Sequence, residues 1–369
     1  MKKSFVIMLL SILIVGTTSA QSPQSQERKP PTAIEGLDPV MLVQGKDVIG
    51  QQKYSVIRGD FEYLFASEEN KAAFEKDPAR YEIQLDGTCA RMGPAVAGNA
   101  DLFTVYKGRI YIFGSGQCLK LFEAAPEKYL EKETAPATPT AESLQKGTAL
   151  IAKAVQAMGG AEKIDALAGY IEKRTGTVTR QNAQVEVKII VTKLFPDRVR
   201  QDRAIAGNSF AQVLRPGEMF VIVQQQRVFP GREPARAELE RSFRRTPLEI
   251  LRARRRADFK AYATGQGKAG ESVVDVIAVE FGGVRAQIGI DATGRILSLS
   301  YRGRNSSGEV GETTETYSDF RAVSGLTLPY KITGGFNAEH VPESSFTVDE
   351  IQINPPVDPA LFDKPTTKQ

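Results

Sequence analysis

Between residues 184 and 191 apolar and polar side chains alternate. Val185, Val187, Ile189 and Val191 fall on one face and Gln184, Glu186 and Lys188 on the other. Successive side chains of a strand point to opposite sides, so this spacing predicts a half-buried β-strand. The same alternation recurs over 273–279, 284–290 and 297–301, the last two separated by a turn at Asp291-Ala292-Thr293-Gly294. With the runs 220–223, 313–320, 328–333 and 346–353 it predicts a meander of about eight to ten strands. Ahead of it, Leu144, Ile151, Val155 and Met158 recur at helical spacing until Gly159-Gly160, which supplies a left-handed stop; a short second turn follows over 161–167. Midway through the meander, residues 234–257 predict a helical interruption carrying Leu239, Phe243, Leu248, Ile250 and Leu251. Pro247 makes one straight helix there unfavourable.

The N-terminal texture differs. Residues 63–81 align without a gap to residues 111–129, an offset of 48, so that Phe65, Ser67, Phe74, Pro78 and Tyr81 match Phe113, Ser115, Phe122, Pro126 and Tyr129. Each unit predicts a strand, a Ser capping a helix, an inward Phe and a Pro that ends the helix. Arg58-Gly59-Asp60 and Lys107-Gly108-Arg109 predict the hairpin turns before them. Asp38-Pro39-Val40, Tyr63-Leu64-Phe65-Ala66-Ser67, Phe74, Pro78 and Tyr81 resemble a YHS domain, a small metal-handling module. That family carries Cys after Asp-Pro-Val, Cys before the Ser, and Cys three residues beyond it. Here the first unit has Met41, Ala66 and Asn70 at those places and the second has Cys89, Gly114 and Cys118. The resemblance spans 34–131 and implies the fold more strongly than a metal site.

A leading helix, a long antiparallel meander and a helix inserted midway resemble the periplasmic lipoprotein-carrier fold of LolA and LolB, over 141–364. Asp358-Pro359-Ala360-Leu361-Phe362 resembles the tail of such domains. The expected class is therefore α+β: a small doubled β-hairpin-plus-helix domain, then a curved antiparallel half-barrel with capping helices. The resemblance implies a hydrophobic cavity, and Val187, Ile189, Val191, Ile288 and Leu299 are the candidates to line it for an apolar or amphiphilic ligand, lipid or lipoprotein-like.

Composition adds boundaries. Lys2, Lys3, an apolar run over 5–15 and Thr18-Ser19-Ala20 read as a cleavable signal over 1–20, too short to span a bilayer, which takes about 20 apolar residues. A polar, Pro-rich spacer follows over 21–33, then the first domain over 34–131. A Pro/Ala/Thr linker occupies 132–140 and a second domain runs over 141–369. The expected location is periplasmic or secreted. A net charge of +4 over 369 residues gives no reason to expect a nucleic-acid partner.

Little catalytic chemistry is available. Trp is absent and His340 is the one histidine, which removes paired-His metal centres and leaves a His-based triad only through His340. There is no Gly-x-Ser-x-Gly elbow or phosphate loop, and Gly265-Gln266-Gly267 lacks the strand–helix context of a nucleotide site. A non-enzymatic binding protein is expected, with no cofactor. Cys89 and Cys118, an even count in an exported chain, favour a disulfide closing a loop of about 30 residues, worth about 2–4 kcal/mol. The alternatives are a soft metal such as Cu(I) or redox use, which would make this a metal- or redox-responsive protein, and two free thiols. Seven Arg lie between 241 and 256. Arg252, Arg254, Arg255 and Arg256 are candidates for anionic head-group or transient membrane-surface contact, against a solvated face paired with Glu238, Glu240 and Glu249.

Overall fold

The computed structural model describes residues 29–132, 138–180 and 183–365. The signal over 1–20 and residues 21–28 of the spacer lie outside the described residues, as does the middle of the linker.

Asp38 starts the first domain. Its carboxylate accepts the amides of Val40 and Met41 at 2.8 and 3.2 Å and so caps α1 (Pro39–Leu42). The hairpin of β1 (Gln51–Arg58) and β2 (Phe61–Phe65) leads into α2 (Glu68–Lys76) and α3 (Pro78–Tyr81). After β3 (Thr88–Cys89) and β4 (Gly93–Ala97), the pattern returns as the hairpin of β5 (Asn99–Tyr106) and β6 (Arg109–Phe113), then α4 (Gly116–Ala124). The second four strands form one sheet in the order β4-β3-β6-β5. Ser67 and Ser115 each accept the amide three residues on, at 3.3 Å. Phe74 packs on Tyr63 and Phe65, and Phe122 on Tyr111 and Phe113. Both phenylalanines are fully buried. The spacing of 48 in sequence thus becomes two hairpin–helix units with separate aromatic cores.

The second domain opens with α5 (Ala141–Met158) and α6 (Ala161–Asp165). Gly147 lets α5 lie against the sheet: a Cβ there would stand 2.4 Å from the Ala261 carbonyl oxygen. Gly159 ends the helix at φ 131°, where an L side chain is strained and would strike the Gly325 carbonyl.

A first meander follows: β7 (Gly169–Arg180), β8 (Ala183–Leu194), β9 (Arg198–Ile205), β10 (Asn208–Arg215), β11 (Glu218–Val223) and β12 (Arg227–Pro230). Next come α7 (Glu233–Arg244) and α8 (Pro247–Ala253). The interruption is thus two helices broken before Pro247, with Thr246 capping the second by accepting the Glu249 amide at 3.3 Å. A second meander runs through β13 (Lys260–Ala269), β14 (Ser272–Phe281), β15 (Val284–Ile290), β16 (Ile296–Arg304), β17 (Val310–Val323) and β18 (Leu326–Phe336). The short β19 (Glu339–His340) and then β20 (Phe346–Ile353) complete the strands.

All fourteen of these strands form one curved, open antiparallel sheet, in the order β12-β11-β10-β9-β8-β7-β20-β18-β17-β16-β15-β14-β13 with β19 paired to β18. The first meander runs outward from the centre to β12 and the second inward from β13 to β18, so β12 and β13 are opposite edges. The chain joining them must cross the sheet, and α7 and α8 do so over its inner face. The core lies between: Phe243, Leu248, Ile250 and Leu251 pack with Val187, Ile189, Val191, Ile277, Ile288 and Leu299. On the other face of β10 and β11, the fully buried Phe362 packs with Val213, Phe220 and Ile222. None of the described helices is long and apolar enough to cross a membrane. The sequence underestimated the strand number: β7, β9, β10, β12, β13 and the short β19 were not read. Gly265 and Gly267 lie within β13, Gly265 at a bulge, and His340 lies in β19 and not in a loop.

Candidate ligand cavity

The core does not fill the inner face. Between the sheet and the junction of α7 with α8 remains a cavity of about 320 Å³. Part of its wall is aliphatic: Val191, Leu248, Leu328, Ile332 and Ile351. The rest is charged. Register explains the arrangement. Arg203 on β9 pairs with Ile189 on β8, which pairs with Arg174 on β7, so the two arginines project from one face two strands apart. That separation is about 10 Å of sheet. One pleat along, Gln201 pairs with Val191 and Val191 with Glu172. From the second meander come Glu315 and Tyr317 of β17 and Tyr301 of β16; Arg245 enters from the end of α7.

These groups are unevenly matched. Arg174 Nε lies 2.7 Å from Glu172 Oε1, an ion-pair contact without hydrogen-bond geometry. Tyr317 donates its hydroxyl to Glu315 at 2.6 Å. Burial raises the Glu315 carboxyl above its usual range, although the Tyr317 bond and Arg174 pull the other way. Arg245 donates to Glu238 at 2.6 Å and stacks 4.0 Å above the Tyr301 ring, leaving its Nε without a partner. Arg203 has no carboxylate within ion-pair distance among the described residues, and its Nε is buried and unbonded. Burial first, and then Arg174, push its guanidinium below its ordinary range. Such a site can hold a small amphiphile, with apolar contact on one side and directed donors on the other.

Of the lining residues expected from sequence, Val191 borders the cavity. Val187, Ile189, Ile288 and Leu299 do face inward, but they are packed within the core. Sequence reasoning missed Glu172, Arg174, Arg203, Arg245 and Glu315. The available signal was polar residues two apart on one strand face: Glu172 with Arg174, Gln201 with Arg203, Glu315 with Tyr317.

The arginines proposed for head groups are engaged elsewhere. Arg252 stacks 3.5 Å from the Phe195 ring centre and donates to the Leu167 carbonyl. Arg254 pairs with Asp165 at 2.8 Å, Arg255 with the same carboxylate at 3.5 Å, and Arg256 with Asp258 at 2.8 Å. Nearby, Arg241 and Arg245 pair with Glu238, and Arg236 and Arg244 with Glu240. Glu249 takes Lys193 instead. The cluster is largely a locally neutralised surface, Arg255 being its most exposed member.

Cys89 and Cys118 are brought together, but as free thiols, so the expected disulfide is not formed. Both are buried. Arg91 donates to Cys118 Sγ at 3.8 Å, beside Met92 Sδ at 3.1 Å. Burial raises the Cys118 thiol, but bonds with Ser115, Arg91 and Cys89 outweigh it and hold the thiol below its ordinary range. Among the described residues no three His, Cys, Asp or Glu side chains gather as metal ligands. The equivalent place in the first unit is a closed polar knot. Asp38 accepts the Ala66 amide and the Asn70 side-chain amide, both at 2.7 Å.

Residues 93–133 match the family model of the YHS domain. No curated protein matches the sequence. Among solved structures, similarity extends to a DUF1329 family protein from Desulfovibrio piger, at 10% identity and TM-score 0.37, covering 60% of this chain and 98% of that one. A putative outer membrane lipoprotein-sorting protein domain from Vibrio parahaemolyticus is similar at 10% identity and TM-score 0.37, with 60% and 97% covered. A LolA superfamily protein from Nitrosomonas europaea is similar at 12% identity and TM-score 0.38, with 62% and 99% covered.

Proposed function

We propose that this chain is a non-enzymatic binding protein, periplasmic or secreted, whose half-barrel carries an amphiphilic ligand between the concave sheet and α7–α8. The observation that supports it is the cavity of about 320 Å³ left inside an otherwise packed core, at the lower end of ligand-site volumes of about 300–1,000 Å³. Its size favours a single-chain amphiphile over a multiply acylated one. The first domain, with two hairpin–helix units that we take as degenerate copies of one module, serves as an accessory. It docks on the half-barrel through Arg232, which donates to the carbonyls of Asp86 and Gly87 at 3.1 Å. Native mass spectrometry of the protein from its own compartment tests the carrier role. A lipid-sized adduct lost on Leu248→Trp, which fills the cavity, is expected. A bare mass, with no uptake of added amphiphile, would sink the proposal.

A second reading has one observation in its favour. Cys118, held low in proton affinity beside Cys89 and Arg91, is the kind of thiol that reacts or binds soft metals. In that case the protein responds to Cu(I) or to oxidants through this pair. Stoichiometric Cu(I) retained by the wild type and lost in Cys118→Ser supports it; no retention removes the metal branch, and thiols inert to peroxide remove the other.

A further inference from the structure

We infer that the cavity recognises the head group of its ligand as an anion: a compact carboxylate or phosphate monoester on an aliphatic tail, gripped by Arg203 with Arg174 and Arg245. This rests on the carrier reading above and adds the chemistry of what is carried.

Three guanidiniums and two carboxylates border the cavity, and Arg245 is paired beyond it with Glu238 at 2.6 Å. Glu172 is committed to Arg174, and Glu315, bonded by Tyr317, is held toward its neutral form by burial. Arg203 is thus left without a counter-charge, and it is also repelled by Arg174 on the same sheet face. Leaving a cation in this state costs free energy that an apolar side chain on β9 would avoid. The Nε atoms of Arg203 and Arg245 are buried without a partner, while that of Arg174 meets Glu172 only as an ion pair. Buried donors that nothing in the fold satisfies call for an explanation, and an oxyanion accepts from several guanidinium N–H groups at once. A cationic head group would meet the uncompensated charge of Arg203, and a neutral one would leave that charge unbalanced. The aliphatic wall of Val191, Leu328, Ile332 and Ile351 then takes the tail.

The test uses four ligands with one tail: decanoate, decyl phosphate, decanol and decyltrimethylammonium, titrated calorimetrically into the full chain. One or both anions are expected to bind at least tenfold more tightly than decanol, and the two anions compared with each other tell carboxylate from phosphate. Decyltrimethylammonium should bind weakest. Arg203→Gln should remove the preference for the anions over decanol, while Arg203→Lys restores much of it. Thermal melting of Arg203→Gln should not fall, since the change relieves repulsion with Arg174. Decanol bound as tightly as both anions, or an anion preference that survives Arg203→Gln, overturns the anion site and leaves the carrier reading standing. Binding of none of the four overturns both.

Discussion

Replacing Lys193 by Met should cost the half-barrel about 3–5 kcal/mol, which is much of the stability of an ordinary domain. Lys193 lies on the inner face of β8 with its Nζ 2.6 Å from Glu249 Oε1, and the two side chains are 4% and 9% exposed. The same ammonium donates to the carbonyl of Phe243 at 3.1 Å, in the last turn of α7, where carbonyls lack helical partners. One side chain therefore ties both crossing helices to the sheet. Burial holds the Lys193 ammonium below its usual range even though Glu249 opposes the shift, so desolvation is the larger effect. In Lys193→Met the Glu249 carboxylate stays buried without its cation, and the penalty follows from that uncompensated charge. Removing both charges, as Lys193→Met with Glu249→Leu, should bring the protein back to within about 1 kcal/mol of wild type, because the pair's attraction roughly offsets its desolvation. Urea unfolding followed by circular dichroism at neutral pH measures all four corners of the cycle. A single variant that loses less than about 1 kcal/mol, or a double variant as unstable as the single, would refute the reasoning.

Two further outcomes follow from other buried or paired carboxylates. Asp38→Ala leaves the Ala66 amide and the Asn70 side chain without their acceptor and should destabilise the first domain by on the order of 3 kcal/mol; a loss below 1 kcal/mol in domain-resolved hydrogen exchange would contradict it. Asp258 should titrate by NMR at about 2, held down by the Arg256 guanidinium and then by the Gly282 amide. Its folded value is depressed, so its stabilising contribution is present above the ordinary carboxylate range and is lost as pH falls toward 2; Arg256→Gln should return the titration toward 3.8, and an unmoved value would mean that Arg256 is not the anchor.

Most strands legible in sequence have hydrophobic core on their inner face, β17 with Glu315 and Tyr317 being an exception. β15 and β20 match the expected ranges 284–290 and 346–353 residue for residue, because their inward positions need only be apolar. β9 escaped notice for the opposite reason. Its inward positions include Gln201 and Arg203, which border the cavity, so the period of two survives while the hydrophobic contrast vanishes. The internal repeat was legible down to the capping serines, since caps and inward phenylalanines are local requirements. Charge pairing was legible only between neighbours in sequence, as for Glu238 and Glu240 with Arg241, Arg244 and Arg245. Arg254 and Asp165 lie far apart in sequence and meet only because α6 and α8 pack together. The alternation marked the concave side correctly but could not say where the core ends and the cavity begins, a boundary set by where α7 gives way to α8.

The position of β20 has a consequence for how the protein is made. It is the last strand in sequence and sits at the middle of the sheet, paired along β7 on one side and at Lys331 and Ile332 of β18 on the other. The two meanders can each form from neighbouring segments as the chain emerges, but they remain separate sheets until β20 arrives between them. Pairing β20 with β7 closes a loop of well over a hundred residues, a slow step for a chain whose other strand contacts are mostly local. Until then Arg174 and Arg203 belong to one half and Glu315 and Tyr317 to the other. The charged cavity is therefore assembled last, and a nascent chain offers its ligand no site until β20 has been synthesised.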